Sequence, residues 1–235
     1  MTRIKLVSVR MILKNRFSLA YKFLIVFVIL SFVVRLILMV LSGANVDLNI
    51  IHFVKIFAIG AYFDVVVAVY FVLLYSVFLL IVPSRWIGSL MDRVITYSMI
   101  ILMLFIVLFG MIAEFPFWAE FNTRFNFIAV DYLIYTYEVL GNINQSYPLP
   151  LIIAILVSGV AGIIFYFRRQ EIFKCIFAEK MRWTHRLMFA APIWIFTLFF
   201  LKWTNNQQAE WSSNSYENEL SKNGIYSFFA AYNSN

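Results

Sequence analysis

Apolar runs long enough to cross a bilayer recur five times in this sequence, and they limit its fold more than any motif does. A spanning helix needs about 20 consecutive apolar residues. Phe23–Leu41, Ile56–Val82, Ile95–Ala113, Leu149–Phe167 and Leu187–Trp203 meet or approach that length. Charged residues are only 13% of the 235 and hydrophobic ones 63%, where a soluble domain carries about 25% charge. No water-soluble fold hides that much apolar surface, so most of the chain must meet lipid. The first run is longer than the apolar region of a cleavable signal peptide, and no small-x-small cleavage site follows it. It reads as a signal anchor. The expected fold is an all-α integral membrane protein. A five-helix membrane domain occupies 1–203. Within it, 114–148 forms an extracytoplasmic interfacial helical segment, and 204–235 is an extracytoplasmic polar linker.

The net charge of +7 invites a nucleic-acid reading until the charges are placed. With the N-terminus in the cytoplasm, the N-terminal arm holds Arg3, Lys5, Arg10, Lys14, Arg16 and Lys22. The second inner segment holds Arg85 and Arg93, and the third Arg168, Arg169, Lys174, Lys180, Arg182 and Arg186. Only Arg124, Lys202 and Lys222 fall outside. Such a bias is the positive-inside signature, and it predicts a cytoplasmic N-terminus and an extracytoplasmic C-terminus. The basic charge then sets topology, with a possible contact to anionic lipid. No basic face with base-reading or stacking groups emerges, which argues against nucleic acid. Arg168–Arg186 mixes its charge with Ile172, Phe173, Ile176, Phe177 and Trp183, and fits either an amphipathic surface helix or a basic loop.

Four features stand out against the apolar background. On a helical wheel Glu120, Arg124, Asp131 and Glu138 share roughly a 40° arc, so a continuous helix over Ala119–Leu140 would carry one charged stripe. That stripe faces either solvent or a docked extracytoplasmic domain. Arg35 and Asp64 are intramembrane charges at similar depth, and such groups are paired or functional. They form a mutual ion pair, or else Arg35 meets a lipid headgroup phosphate. Small residues at Gly60 and Ala68 flank Asp64, and Ala154, Ser158 and Gly162 recur at the same spacing, a pattern that suits close helix approach. Finally, Ile225–Tyr232 is apolar, follows the Asn223-Gly224 turn, and marks an interface within an otherwise polar tail.

Little supports catalysis. His52 and His185 fall on opposite sides of the membrane, no Gly-rich phosphate loop occurs, and the single cysteine, Cys175, excludes an intrachain disulfide. The acids from Glu120 to Glu138 spread over about 27 Å of helix at 1.5 Å per residue, so they do not converge on a metal. The sequence assigns no catalytic, cofactor-binding or metal-binding residue.

Five spans, the segment RFNFIAVDYLIYTYEVLGNINQSYP, the pattern GAYFD at Gly60–Asp64 and the tail NELSKNGIYSFFAAYNSN together resemble the lipoteichoic-acid synthase family of the alkaline phosphatase/sulfatase superfamily. The resemblance covers essentially the whole chain and implies a bacterial inner membrane. It implies a five-helix membrane domain followed by a large extracytoplasmic catalytic domain. That domain uses a Thr nucleophile and manganese or zinc to move phosphoglycerol, or in relatives phosphoethanolamine, from a membrane phospholipid to an acceptor. No position here matches the nucleophile or a ligand, and the chain is expected to be a truncated module without activity of its own. Its implied partners are membrane phospholipid and its own catalytic domain. A stand-alone, non-enzymatic membrane interaction protein is the alternative. A small transporter is a further one, although such proteins usually show repeats or broken helices and neither is seen.

Overall fold

The computed structural model describes residues 15–47, 49–134, 147–178 and 180–234. Helices account for the ordered elements throughout, with no strand among the described residues. Five are long and apolar enough to cross a membrane: α1 (Ser18–Ser42), α2 (Ile50–Ile81), α3 (Leu90–Phe121), α5 (Leu149–Arg169) and α7 (Trp183–Trp203). Among the described residues four short α-helices lie between or after them: α4 (Phe127–Ile134), α6 (Ile172–Ala178), α8 (Ser215–Ser221) and α9 (Gly224–Ser234). Helices α2 and α3 start ahead of the predicted apolar runs because side-chain caps set their first turns. Asn49 accepts the Ile51 N–H at the start of α2, and Ser89 caps α3 through the Asp92 N–H, filling donors that have no helical partner. At its far end α2 stops before Pro83, where the proline ring disfavours helix in the preceding residue.

Helix α2 is the centre of the bundle. Val66, Val67, Ala68, Val69 and Val72 are all buried, and a helix apolar on every side belongs in an interior. It packs on α1 and α7, while α3 pairs with α5. Phe23, Phe27 and Phe71 interlock between α1 and α2 with ring centroids 6.2–6.4 Å apart. Helix α5 is peripheral: only Leu156 and Phe167 are buried, and Leu151, Ile153, Ile155, Val157 and Phe165 are exposed. In water such a face would be costly; in hydrocarbon it carries no penalty. Ala154, Ser158 and Gly162 stay exposed, and it is Gly159 that lets α5 approach Leu108 of α3.

Chain direction gives the bundle two ends. One carries the α2 N-terminus, α4 and the tail; it is the tail end. The other carries Arg16, the α2–α3 hinge and α6. Helix α6 buries Ile172, Phe173 and Ile176 against α1 and α5, so its apolar face belongs to the bundle.

Two expectations are corrected. The helix predicted over Ala119–Leu140 is broken: α3 ends at Phe121, Asn122 takes a left-handed conformation (φ 55°) with its N–H on the Trp118 carbonyl, and a turn precedes α4. Asparagine tolerates that conformation better than most residues. Glu120 and Asp131 are exposed but Arg124, in the turn, is buried; there is no shared stripe, and Glu138 lies outside the described residues. The segment 204–235 is not a linker. Helix α8 packs on α2 and α1, α9 packs on α3, α4 and α2, and Glu217, Leu220, Asn223 and Ile225 are buried. Polarity misled because the polar side chains of the tail are bonded inward.

Candidate functional site

The tail end holds a connected set of buried polar groups. Its centre is Arg35 of α1, wholly inaccessible, beside Asp64 of α2. One guanidinium nitrogen, Nη2, donates to both Asp64 oxygens at 2.7 and 2.8 Å. The other, Nη1, donates to the tail carbonyls of Leu220 at 2.7 Å and Lys222 at 3.2 Å. Asp64 Oδ1 also accepts from Ser31 at 2.6 Å and from the Asn223 side-chain amide at 2.8 Å. An intramembrane pair is tolerable when the remaining lone pairs and protons are satisfied, and here the tail satisfies them. Gly60 makes room: a Cβ there would fall inside the Arg35 guanidinium.

Asn223 does two jobs. Its amide nitrogen reaches Asp64, while its side-chain oxygen accepts the Tyr226 N–H at 3.2 Å and starts α9. Beside it a second buried pair joins Glu114 of α3 to Arg124 of the turn. Glu114 lies against Gly224, where a Cβ would strike its carboxylate, so an acid sits at the N-terminus of α9, the end favoured by the helix dipole. The Arg124 backbone N–H donates to Glu219 of α8 at 2.9 Å. Among the described residues the Nε and Nη2 groups of Arg124 have no hydrogen-bond partner.

A third contact closes the outer edge. Glu217 of α8 accepts from Ser212 at 2.5 Å, from the Asp47 N–H at 3.3 Å, and lies 2.9 Å from His52 Nδ1. Burial pushes the Glu217 carboxyl up, but the bonds to His52 and Ser212, attraction to His52 and the Asp47 amide hold it below the ordinary value. Trp211 stacks edge-on against His52, under Lys55, and donates to Ser221.

No protein family, curated protein or solved structure matches the chain. Manganese or zinc does not fit it: among the described residues no group of three or more His, Cys, Asp or Glu side chains is placed to hold a metal. Asp64, Glu114 and Glu217 each face a basic partner. The arrangement ties a tail to a membrane bundle.

Of the residues singled out in sequence, Arg35 and Asp64 meet directly. Glu120 and Asp131 remain at the surface, apart from Arg124. Sequence reasoning missed Glu114, Asn223, Ser31 and the pair His52–Glu217. Their partners are 10, 159, 33 and 165 positions away, beyond any periodicity. The one local signal is Asn223-Gly224, which as sequence reads as a turn or a helix stop rather than a helix start.

Proposed function

We propose that the chain is the membrane module of a lipoteichoic-acid-synthase-like phosphoglycerol or phosphoethanolamine transferase, anchoring and docking an extracytoplasmic catalytic domain and supplying no reacting group itself. The observation that supports this is the fastening of the tail. Leu220, Lys222 and Asn223 are bonded to the intramembrane Arg35–Asp64 pair, so whatever the tail carries is held at a set place and angle over the bundle. Phosphoryl transfer depends on positioning, and a domain that works on membrane lipid gains from a rigid mount. Exposed Glu120 and Asp131 are the surface it would meet. In this reading the Arg-rich end is cytoplasmic, the tail is extracytoplasmic, and the membrane is a bacterial inner membrane; the divalent metal belongs to the catalytic domain.

The test joins a catalytic domain of that family after Asn235, in vesicles containing phosphatidylglycerol, and follows release of diacylglycerol. Transfer should require the module, and Asn223→Ala should lower it while the domain itself stays folded. Equal transfer from the same domain on an unrelated single-span anchor overturns the proposal. So does release of diacylglycerol by the 235-residue chain alone with manganese present.

A further inference from the structure

A cleft of about 410 Å³ opens between α2, α7 and α9, well within the size range of ligand sites. We infer that it holds one acyl chain of a membrane glycerophospholipid. The inference needs only the membrane bundle and does not depend on the proposed transferase role.

Three observations select the occupant. The first is the medium. Two of the three walls are spanning helices, and Leu201 and Phe229 at the cleft are 66% and 54% exposed, so its opening meets hydrocarbon. The second is the lining. Val67, Phe71, Phe200 and Ile225 make it apolar, the surface that a hydrocarbon chain fills. The third is the polar remainder. Thr204 is already engaged: its Oγ1 lies 2.6 Å from the Tyr62 hydroxyl, and its carbonyl accepts from Tyr226 at 2.7 Å. That leaves the Tyr70 hydroxyl and the Asn233 amide lining the cleft as donors, with no hydrogen-bond partner among the described residues. Lys202 follows Leu201 in the last turn of α7, just before Thr204, with its ammonium over the Trp203 ring. A glycerophospholipid, whatever its headgroup, presents acceptors at its ester carbonyls and its phosphate, and these match two free donors and a nearby cation. A bare hydrocarbon would satisfy the apolar wall and leave the donors idle.

The tail itself builds the third wall. Ile225, Tyr226, Phe229, Ala230 and Asn233 recur at helical spacing on one side of α9. The cleft therefore exists only while the tail is docked, which ties lipid occupancy to the Arg35–Asp64–Asn223 junction.

The experiment reconstitutes the full chain in phosphatidylethanolamine–phosphatidylglycerol vesicles. They contain a trace of phosphatidylglycerol bearing a diazirine within one acyl chain. After illumination, crosslinked residues are mapped by mass spectrometry. Crosslinks should concentrate on Phe71, Phe200 and Phe229 over the exposed face of α5, represented by Ile153 and Val157. Ala230→Trp should reduce the cleft signal several-fold and leave the α5 signal unchanged. Tyr70→Phe, which removes a donor without changing the volume, should lower the phospholipid signal and keep the fold. Crosslinks distributed simply by exposure overturn the inference. So does equal labelling of the cleft by a diazirine alkane of the same length, which would make it a hydrocarbon-filled gap, or a Tyr70→Phe protein with undiminished phospholipid signal.

Discussion

Each end of the bundle is clasped by a buried arginine–aspartate pair, and the two clasps are built differently. At the end away from the tail, Arg16 forms a fork on Asp92, Nη1 to Oδ2 at 2.9 Å and Nη2 to Oδ1 at 2.8 Å. Both Nη groups hold one carboxylate, Nη1 also reaches the Ile176 carbonyl of α6 at 3.3 Å, and Asp92 accepts in addition from the nearby Gly88 N–H. Next to it Arg186 donates to the carbonyls of Leu79 and Val82 and caps the end of α2. At the tail end Arg35 holds Asp64 with one nitrogen and turns the other outward to tail carbonyls 185 and 187 positions on. The first clasp draws on Arg16 just ahead of α1, Asp92 of α3, the α2–α3 hinge and α6, and on nothing in the tail. The second is complete only when the tail is present. The same ion pair thus serves as a fastener at one end and as a coupling at the other.

The largest effect should come from breaking either pair, because removing one partner strands a buried charge at a cost of about 3–5 kcal/mol. Asp64→Ala and Asp92→Ala should destabilise the bundle comparably, read as detergent-solubilised thermal unfolding. Hydrogen exchange separates them: Asp64→Ala should release residues 215–234, whereas Asp92→Ala should leave their protection intact. Release in both variants would erase the distinction between the clasps. Combining Asp64→Ala with Arg35→Ala should cost less than the sum of the two single changes.

Gly60→Ala should come next. The new methyl displaces the guanidinium from Asp64, an overpacking cost of about 1–3 kcal/mol. An unaltered melting temperature would mean that Arg35 has another comfortable position. Asn223→Ala is narrower still. It removes a donor to a buried carboxylate and the N-cap of α9, about 1–3 kcal/mol, and should appear as faster exchange in the tail with little change in the spans.

The smallest effect is acidic. Glu217 titrates below its ordinary value of 4.5 when docked, so its contribution is present above that value and is lost as pH falls through the folded one. Tail protection should weaken below about pH 4.5, and Glu217→Gln should flatten that dependence. Weakening as pH rises instead would contradict the sign.

The five apolar helices, the all-α class and the placing of Arg35 and Asp64 within those helices were all legible in the sequence. Bilayer thickness imposes one length on every crossing, and a charge inside an apolar run is conspicuous wherever it occurs. Two features were misjudged, and for one reason. The charged stripe assumed a continuous helix, which a single left-handed residue, Asn122, interrupts and so sends Arg124 inward. The tail was judged by its polarity, which is the same whether asparagine, glutamate and serine face water or face each other. Whether Asn223 is solvated or holds Asp64 depends on which atoms the folded chain brings within about 3 Å, and those atoms lie 159 positions apart. Hydropathy is a property of each residue and survives in the linear sequence. Pairing is a property of two residues and a distance, and only the packed bundle supplied the distance.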